Sequence, residues 1–106
     1  MINIIVYRNQ NSDIYGFRAE SHGDPIVCSA VSALTMNAVN SIESFTDEHI
    51  IYEYDEKGGF LELELPDIKN GARSDSVMLL LNSMMLGLKE IEDQYPEHIR
   101  ILDREA

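Results

Sequence analysis

Two residues able to do chemistry together stand six positions apart: His22 and Cys28, the chain's single cysteine. A thiolate with a histidine in reach is the minimum for nucleophilic acyl transfer. The imidazole takes the thiol proton and later returns one to the leaving group. Cys28 lies in the stretch His22–Glu43, HGDPIVCSAVSALTMNAVNSIE, which contains the best helix start in the chain. Asp24 stands at the N-cap position and Pro25 at the first helical position, where its missing N–H is no loss. The first turn of a helix favours a thiolate, because unpaired N–H groups and the helix dipole stabilise negative charge. The same N–H groups are candidates for an oxyanion hole. Ser32, one turn beyond Cys28, can hydrogen-bond a polar neighbour and is a supporting candidate. Against this, a lone cysteine is more often a small buried apolar residue than a nucleophile. Spacing alone leaves both readings open.

The other candidates are weaker. His49 opens a strand and His98 follows Pro96, so both read as surface residues. No run of His, Cys and carboxylates has metal-ligand spacing, and the glycines fit no phosphate-binding loop, so no metal and no cofactor is expected. The acidic runs around Glu43–Glu48, Glu53–Glu56 and Glu90–Asp93 read as solvated faces.

The elements that must position His22 and Cys28 follow from periodicity. Ile2–Arg8 is β-branched and aromatic, a strand. Asn9–Asp13 is a turn cluster, and Ile14–Glu20 is a second strand weakened by Gly16, so the two make a hairpin. Ser21–Asp24 is a break. The helix from Pro25 runs to about Glu43 or Phe45, with Val27, Val31, Leu34, Ala38, Ile42 and Phe45 on one apolar face. Small residues in its first half (Ser29, Ala30, Ser32, Ala33) let another element approach closely. His49–Asp55 is a third strand, Glu56–Gly59 a hairpin turn, and Phe60–Leu65 a fourth strand of alternating polarity. Pro66–Ala72 reads as a loop. Ser74 or Asp75 caps a second helix running to Tyr95, apolar on one full stripe and beyond it, which calls for cover on more than one face and points to a second subunit. His98–Asp103 is a last strand. The order ββαββαβ predicts an α+β, two-layer domain: a largely antiparallel sheet with two helices packed on it.

The 106 residues make one domain spanning 1–106. With 19 acidic and 8 basic residues the formal net charge is −11. Such a surface repels phosphate backbones and anionic membranes, so neither direct nucleic-acid nor membrane binding is expected; it favours solubility and attracts basic partners. One cysteine forms no internal disulfide, as in a reducing cytoplasm. The N-terminal run MINIIVYRNQ lacks a signal peptide's basic region and cleavage site, and no apolar run is read as reaching the ~18 residues of a membrane span.

At the level of motifs the chain resembles the ribosomal-processing cysteine protease family Prp (YsxB-like proteins). The likeness rests on Gly16-Phe17, His22, Ile26-Val27-Cys28-Ser29-Ala30-Val31-Ser32, Val39-Asn40-Ser41-Ile42, Gly58-Gly59 and Leu88–Pro96. It implies a cysteine endopeptidase with Cys28 as nucleophile and His22 as general base, with Ser32 and Asp24 in supporting places. It implies that the substrate is a basic large-subunit ribosomal protein precursor, numbered twenty-seven, whose N-terminal extension is cut after aromatic residues. It further implies a homodimer, a cytoplasmic enzyme, and an apolar pocket near the thiol for the aromatic side chain. Three features depart from the pattern. Ser21 replaces a glycine, Pro25 replaces an aspartate (leaving Asp24 one residue earlier), and only five residues separate His22 from Cys28, in a stretch that is longer in the family and gates the substrate. These departures keep a second reading in view: a non-enzymatic, dimeric binding protein of ribosome assembly.

Overall fold

Buried runs on the central strands, clean alternation on the fourth strand and an apolar stripe on each long helix lead to two layers. The computed structural model describes residues 1–105. Strands β1 (Ile2–Arg8) and β2 (Ile14–Glu20) precede helix α1 (Pro25–Phe45); β3 (Ile51–Tyr54) and β4 (Phe60–Glu64) lead through a short helix α2 (Pro66–Lys69) to α3 (Asp75–Gln94) and β5 (Ile99–Glu105). The strands form one sheet in the order β3-β4-β2-β1-β5. β1–β2, β2–β4 and β3–β4 pair antiparallel, and β1–β5 pairs parallel. The expected two-layer α+β domain with a largely antiparallel sheet is therefore the fold.

One sheet face is the core. Ile4, Val6, Phe17 and Leu63 are fully buried, together with Val27, Val31 and Ile42 of α1 and Val77, Leu81 and Leu88 of α3. The two long helices approach closely where Leu34 meets Gly87: a Cβ on Gly87 would lie 2.8 Å from Leu34 Cδ1. The close approach thus comes from a glycine on α3, while Ser29, Ser32 and Ala33 of α1 are exposed. By length and composition alone α1 is long and apolar enough to cross a membrane, contrary to the sequence reading. Its valines and Ile42 instead pack into the core of this domain.

The opposite sheet face carries a pair of tyrosines on its central strands. Tyr7 stacks on Tyr15 with centroids 5.6 Å apart and donates a hydrogen bond to Glu62. Burial, and then the Glu62 carboxylate, push the Tyr7 hydroxyl up to about 12. Asn9, buried in the β1–β2 turn, donates to the Ile68 carbonyl and accepts from the amides of Asn11 and Asp13, tying the hairpin to α2.

Several boundaries differ from the sequence reading, by one residue at the ends of β3 (Tyr54) and β4 (Glu64) and the start of β5 (Ile99), and by more elsewhere. Pro66–Ala72, expected as a loop, opens with the single turn α2, in which Lys69 N–H donates to Leu65 and Asn70 N–H to Pro66. One turn is too short to show a period. β3 starts at Ile51 and not His49. β5 runs to Glu105 and not Asp103, because its backbone pairs with β1 as far as Arg8↔Glu105. Ladder hydrogen bonds are indifferent to side-chain charge.

Candidate active site

The start of α1 is fully accounted for in hydrogen bonds. Asp24 Oδ1 accepts from the backbone N–H of Ile26 (2.9 Å) and of Val27 (3.3 Å). The Asp24 carbonyl accepts from Cys28 N–H at 2.8 Å, and Pro25 has no N–H to offer. The amides expected to serve an oxyanion are therefore already taken, by the same cap that makes the helix start strong. A different donor faces the thiol. Gly23 N–H, in the preceding loop, points at Cys28 Sγ from 3.4 Å. The sulfur is half-buried, packed against the core on one side.

His22 lies on a platform made by the β3–β4 turn. Asp55 builds that turn: its carbonyl accepts from Gly58 N–H (2.9 Å), its Oδ1 accepts from Lys57 N–H (2.9 Å), and its N–H donates to Phe60 (3.0 Å). Gly58 and Gly59 both take positive φ, +85° and +89°, a region glycine enters without steric penalty. The imidazole sits directly against this turn. A Cβ on Gly59 would lie 2.6 Å from His22 Nε2 and 3.1 Å from Cε1. Ser21 N–H donates to the Gly59 carbonyl at 2.9 Å, so the histidine loop is tied to the same hairpin.

A cleft of about 120 Å³ opens between the start of α1 and the β3–β4 hairpin. Cys28, Gly58 and Gly59 line it, and Met36, Tyr52, Tyr54 and Phe60 give it an apolar wall. Tyr52 and Tyr54 stand on one face of β3 with ring centroids 5.3 Å apart. Burial raises the Tyr52 hydroxyl above its ordinary range, helped by Tyr54. Ser32 also faces the cleft, one turn along α1 from Cys28.

The structure thus brings Cys28 and Ser32 to one cleft and sets His22 on the glycine turn at its edge. No hydrogen bond joins the His22 imidazole to the thiol or to the Asp24 carboxylate among the described residues. Asp24 acts as a helix cap. His49 is exposed, and His98 is packed beside Tyr95; neither lines the cleft. Among the described residues no group of three His, Cys, Asp or Glu is placed to hold a metal ion. The sequence reading treated Gly58-Gly59 as a turn and left Tyr52 and Tyr54 without a role. Their two-residue spacing on a strand was the available signal that they share a face.

Comparison with known proteins bears on this geometry. The family model described as cysteine protease Prp matches residues 1–100. The ribosomal processing cysteine protease Prp of Staphylococcus aureus is 35% identical over 80 residues, covering 76% of this chain and 72% of its own length. That of Bacillus subtilis is 25% identical over 107 residues, covering 95% and 96%. A crystal structure of the S. aureus protease with a covalently linked product peptide superposes with a TM-score of 0.87 at 30% identity, covering 98% of this chain and 100% of the other. A second, with a substrate peptide, gives 0.85 at 28% identity, with the same coverage.

Proposed function

Because the chain belongs to the cysteine protease Prp family, and so is a ribosomal processing cysteine protease, we propose that it removes the N-terminal extension of the large-subunit ribosomal protein numbered twenty-seven, cutting after an aromatic residue. Cys28 is the nucleophile and His22 the general base. The observation that carries this reading is the half-buried Cys28 thiol opening onto an apolar cleft walled by Met36, Tyr52, Tyr54 and Phe60. Such a wall suits an aromatic side chain held beside the scissile bond. The net charge of −11 favours a basic ribosomal substrate through long-range attraction.

In the proposed reaction His22 takes the Cys28 proton as Sγ attacks the scissile carbonyl carbon. The tetrahedral intermediate collapses as the C–N bond breaks, and His22 gives its proton to the leaving amine. Water then attacks the thioester; His22 accepts its proton, and the carboxylate product leaves as the thiol is restored. Gly23 N–H supports negative charge at the sulfur during the first step. The free protein has no hydrogen bond between the His22 imidazole and the thiol among the described residues, and catalytic hydrogen bonds commonly tighten only when substrate is bound. A covalent peptide on the S. aureus relative is in keeping with a route through a thioester.

The enzyme works as a homodimer in the cytoplasm. Leu79 and Leu86, two turns apart on α3, are 71% and 65% exposed, an apolar stripe that a second copy would cover. The test of the assignment is mass spectrometry on a precursor peptide spanning the junction. Cys28→Ala and His22→Ala should both leave it uncut while keeping native circular dichroism. Complete cleavage by Cys28→Ala would sink the assignment.

A further inference from the structure

Given His22 as the general base, we infer that Gly59 is its positioning residue: the bare Cα of the β3–β4 turn is the seat that fixes where the imidazole lies. Three observations converge on this position. An added Cβ would fall 2.6 Å from Nε2, 3.1 Å from Cε1 and 3.3 Å from Cδ2, so it would overlap the ring edge itself. The Gly59 carbonyl accepts from Ser21 N–H at 2.9 Å, holding the backbone that carries His22 to the same residue. The turn is stiffened by its own three hydrogen bonds around Asp55. His22 is exposed and its ring has no hydrogen-bond partner among the described residues. Van der Waals contact with Gly59, on a tethered loop, is what remains to orient it.

The glycine could be there only because φ is positive, and the chain carries its own control for that. Gly58 has φ +85°, yet its Cβ would reach only 3.6 Å from His22 Cε1, an ordinary contact. Gly71 has φ +105° and nothing within 4 Å of an added Cβ. All three φ values lie in the region where alanine strains the backbone. Only Gly59→Ala also displaces the imidazole.

The experiment compares Gly59→Ala, Gly58→Ala and Gly71→Ala in cleavage of the precursor peptide, and in the pH dependence of Cys28 alkylation by iodoacetamide. Gly59→Ala should lose on the order of 10²-fold in kcat, the scale of a catalytic group misplaced by about 1 Å. Its alkylation profile should move toward that of His22→Ala. Gly58→Ala should lose less, and Gly71→Ala should keep the native rate and profile. A native profile in Gly59→Ala, or equal losses in Gly58→Ala or Gly71→Ala, overturns the inference. Should Gly59→Ala not fold, the native protein decides. A nuclear Overhauser contact between the His22 ring and Gly59 Hα is expected, and its absence overturns the inference. Native cleavage by His22→Ala would instead remove the assignment of the base itself.

Discussion

Asp24 is where structure and catalytic expectation part most sharply, so its substitution is the most informative. One carboxylate oxygen holds two backbone donors, Ile26 N–H and Val27 N–H, and the group sits at the positive end of a 21-residue helix. Replacing such a cap by alanine destabilises by about 1 kcal/mol, within a range of about 0.5–2. In a domain of this size that lowers Tm by roughly 4 °C. Asp24→Asn keeps the accepting oxygen and loses only the charge–dipole part, about 0.3–1 kcal/mol. The two variants therefore separate capping from catalysis. Since the carboxylate makes no hydrogen bond to His22, Asp24→Asn should cleave the precursor peptide within a few-fold of native. Where an acid does orient the base, the amide variant loses about 10⁴-fold. Urea unfolding and initial cleavage rates, on the same preparations, give both numbers. A stable Asp24→Asn protein that has lost cleavage by orders of magnitude would refute the reasoning and return Asp24 to the catalytic set.

Other outcomes follow from single contacts. Gly16→Ala would place a Cβ 2.2 Å from the Leu63 carbonyl oxygen, backbone that cannot rotate away; urea denaturation should show a loss of about 3 kcal/mol. Met36→Trp should fill the cleft beside Cys28 and lower kcat/KM for the peptide by about tenfold or more in initial-rate assays. The Tyr7 hydroxyl, raised from 10.0 to about 12 by burial and Glu62, holds its proton more tightly when folded. Its contribution is complete below the unfolded value and is lost as pH climbs from 10.0 toward about 12. Tyr7→Phe lacks that contribution, so urea midpoints of native and variant should converge across this window; a constant gap would contradict the assignment.

Much of the fold was legible because local signals agreed with one another. Asp24-Pro25 and Ser74 mark real helix starts, with both side chains accepting from the first turn. β1, β2 and α1 occupy the expected residues, since alternation and capping act within a few positions of each other. What was not legible depends on distant partners. The charged end of β5 becomes strand only because β1 lies beside it, and α2 is one turn held by its neighbours, with Ile68 buried beneath it.

The candidate site divides along the same line. Cys28 and its helix start are local, and the sequence was enough to nominate them. Yet the local reading erred on the amides: a cap strong enough to be seen in the sequence is one whose carboxylate already occupies the donors. The donor that does face the sulfur, Gly23 N–H, comes from the loop, and the seat for His22 comes from Gly59, 37 positions along the chain. The seat depends on the tether between Ser21 and Gly59, which no periodicity reports. Geometry around a nucleophile is set by which element crosses it in space. Here that element is the β3–β4 hairpin, which supplies at once the turn under the imidazole and the aromatic wall of the cleft. On the proposed roles of His22 and the cleft, base placement and substrate binding are mounted on the same piece of backbone.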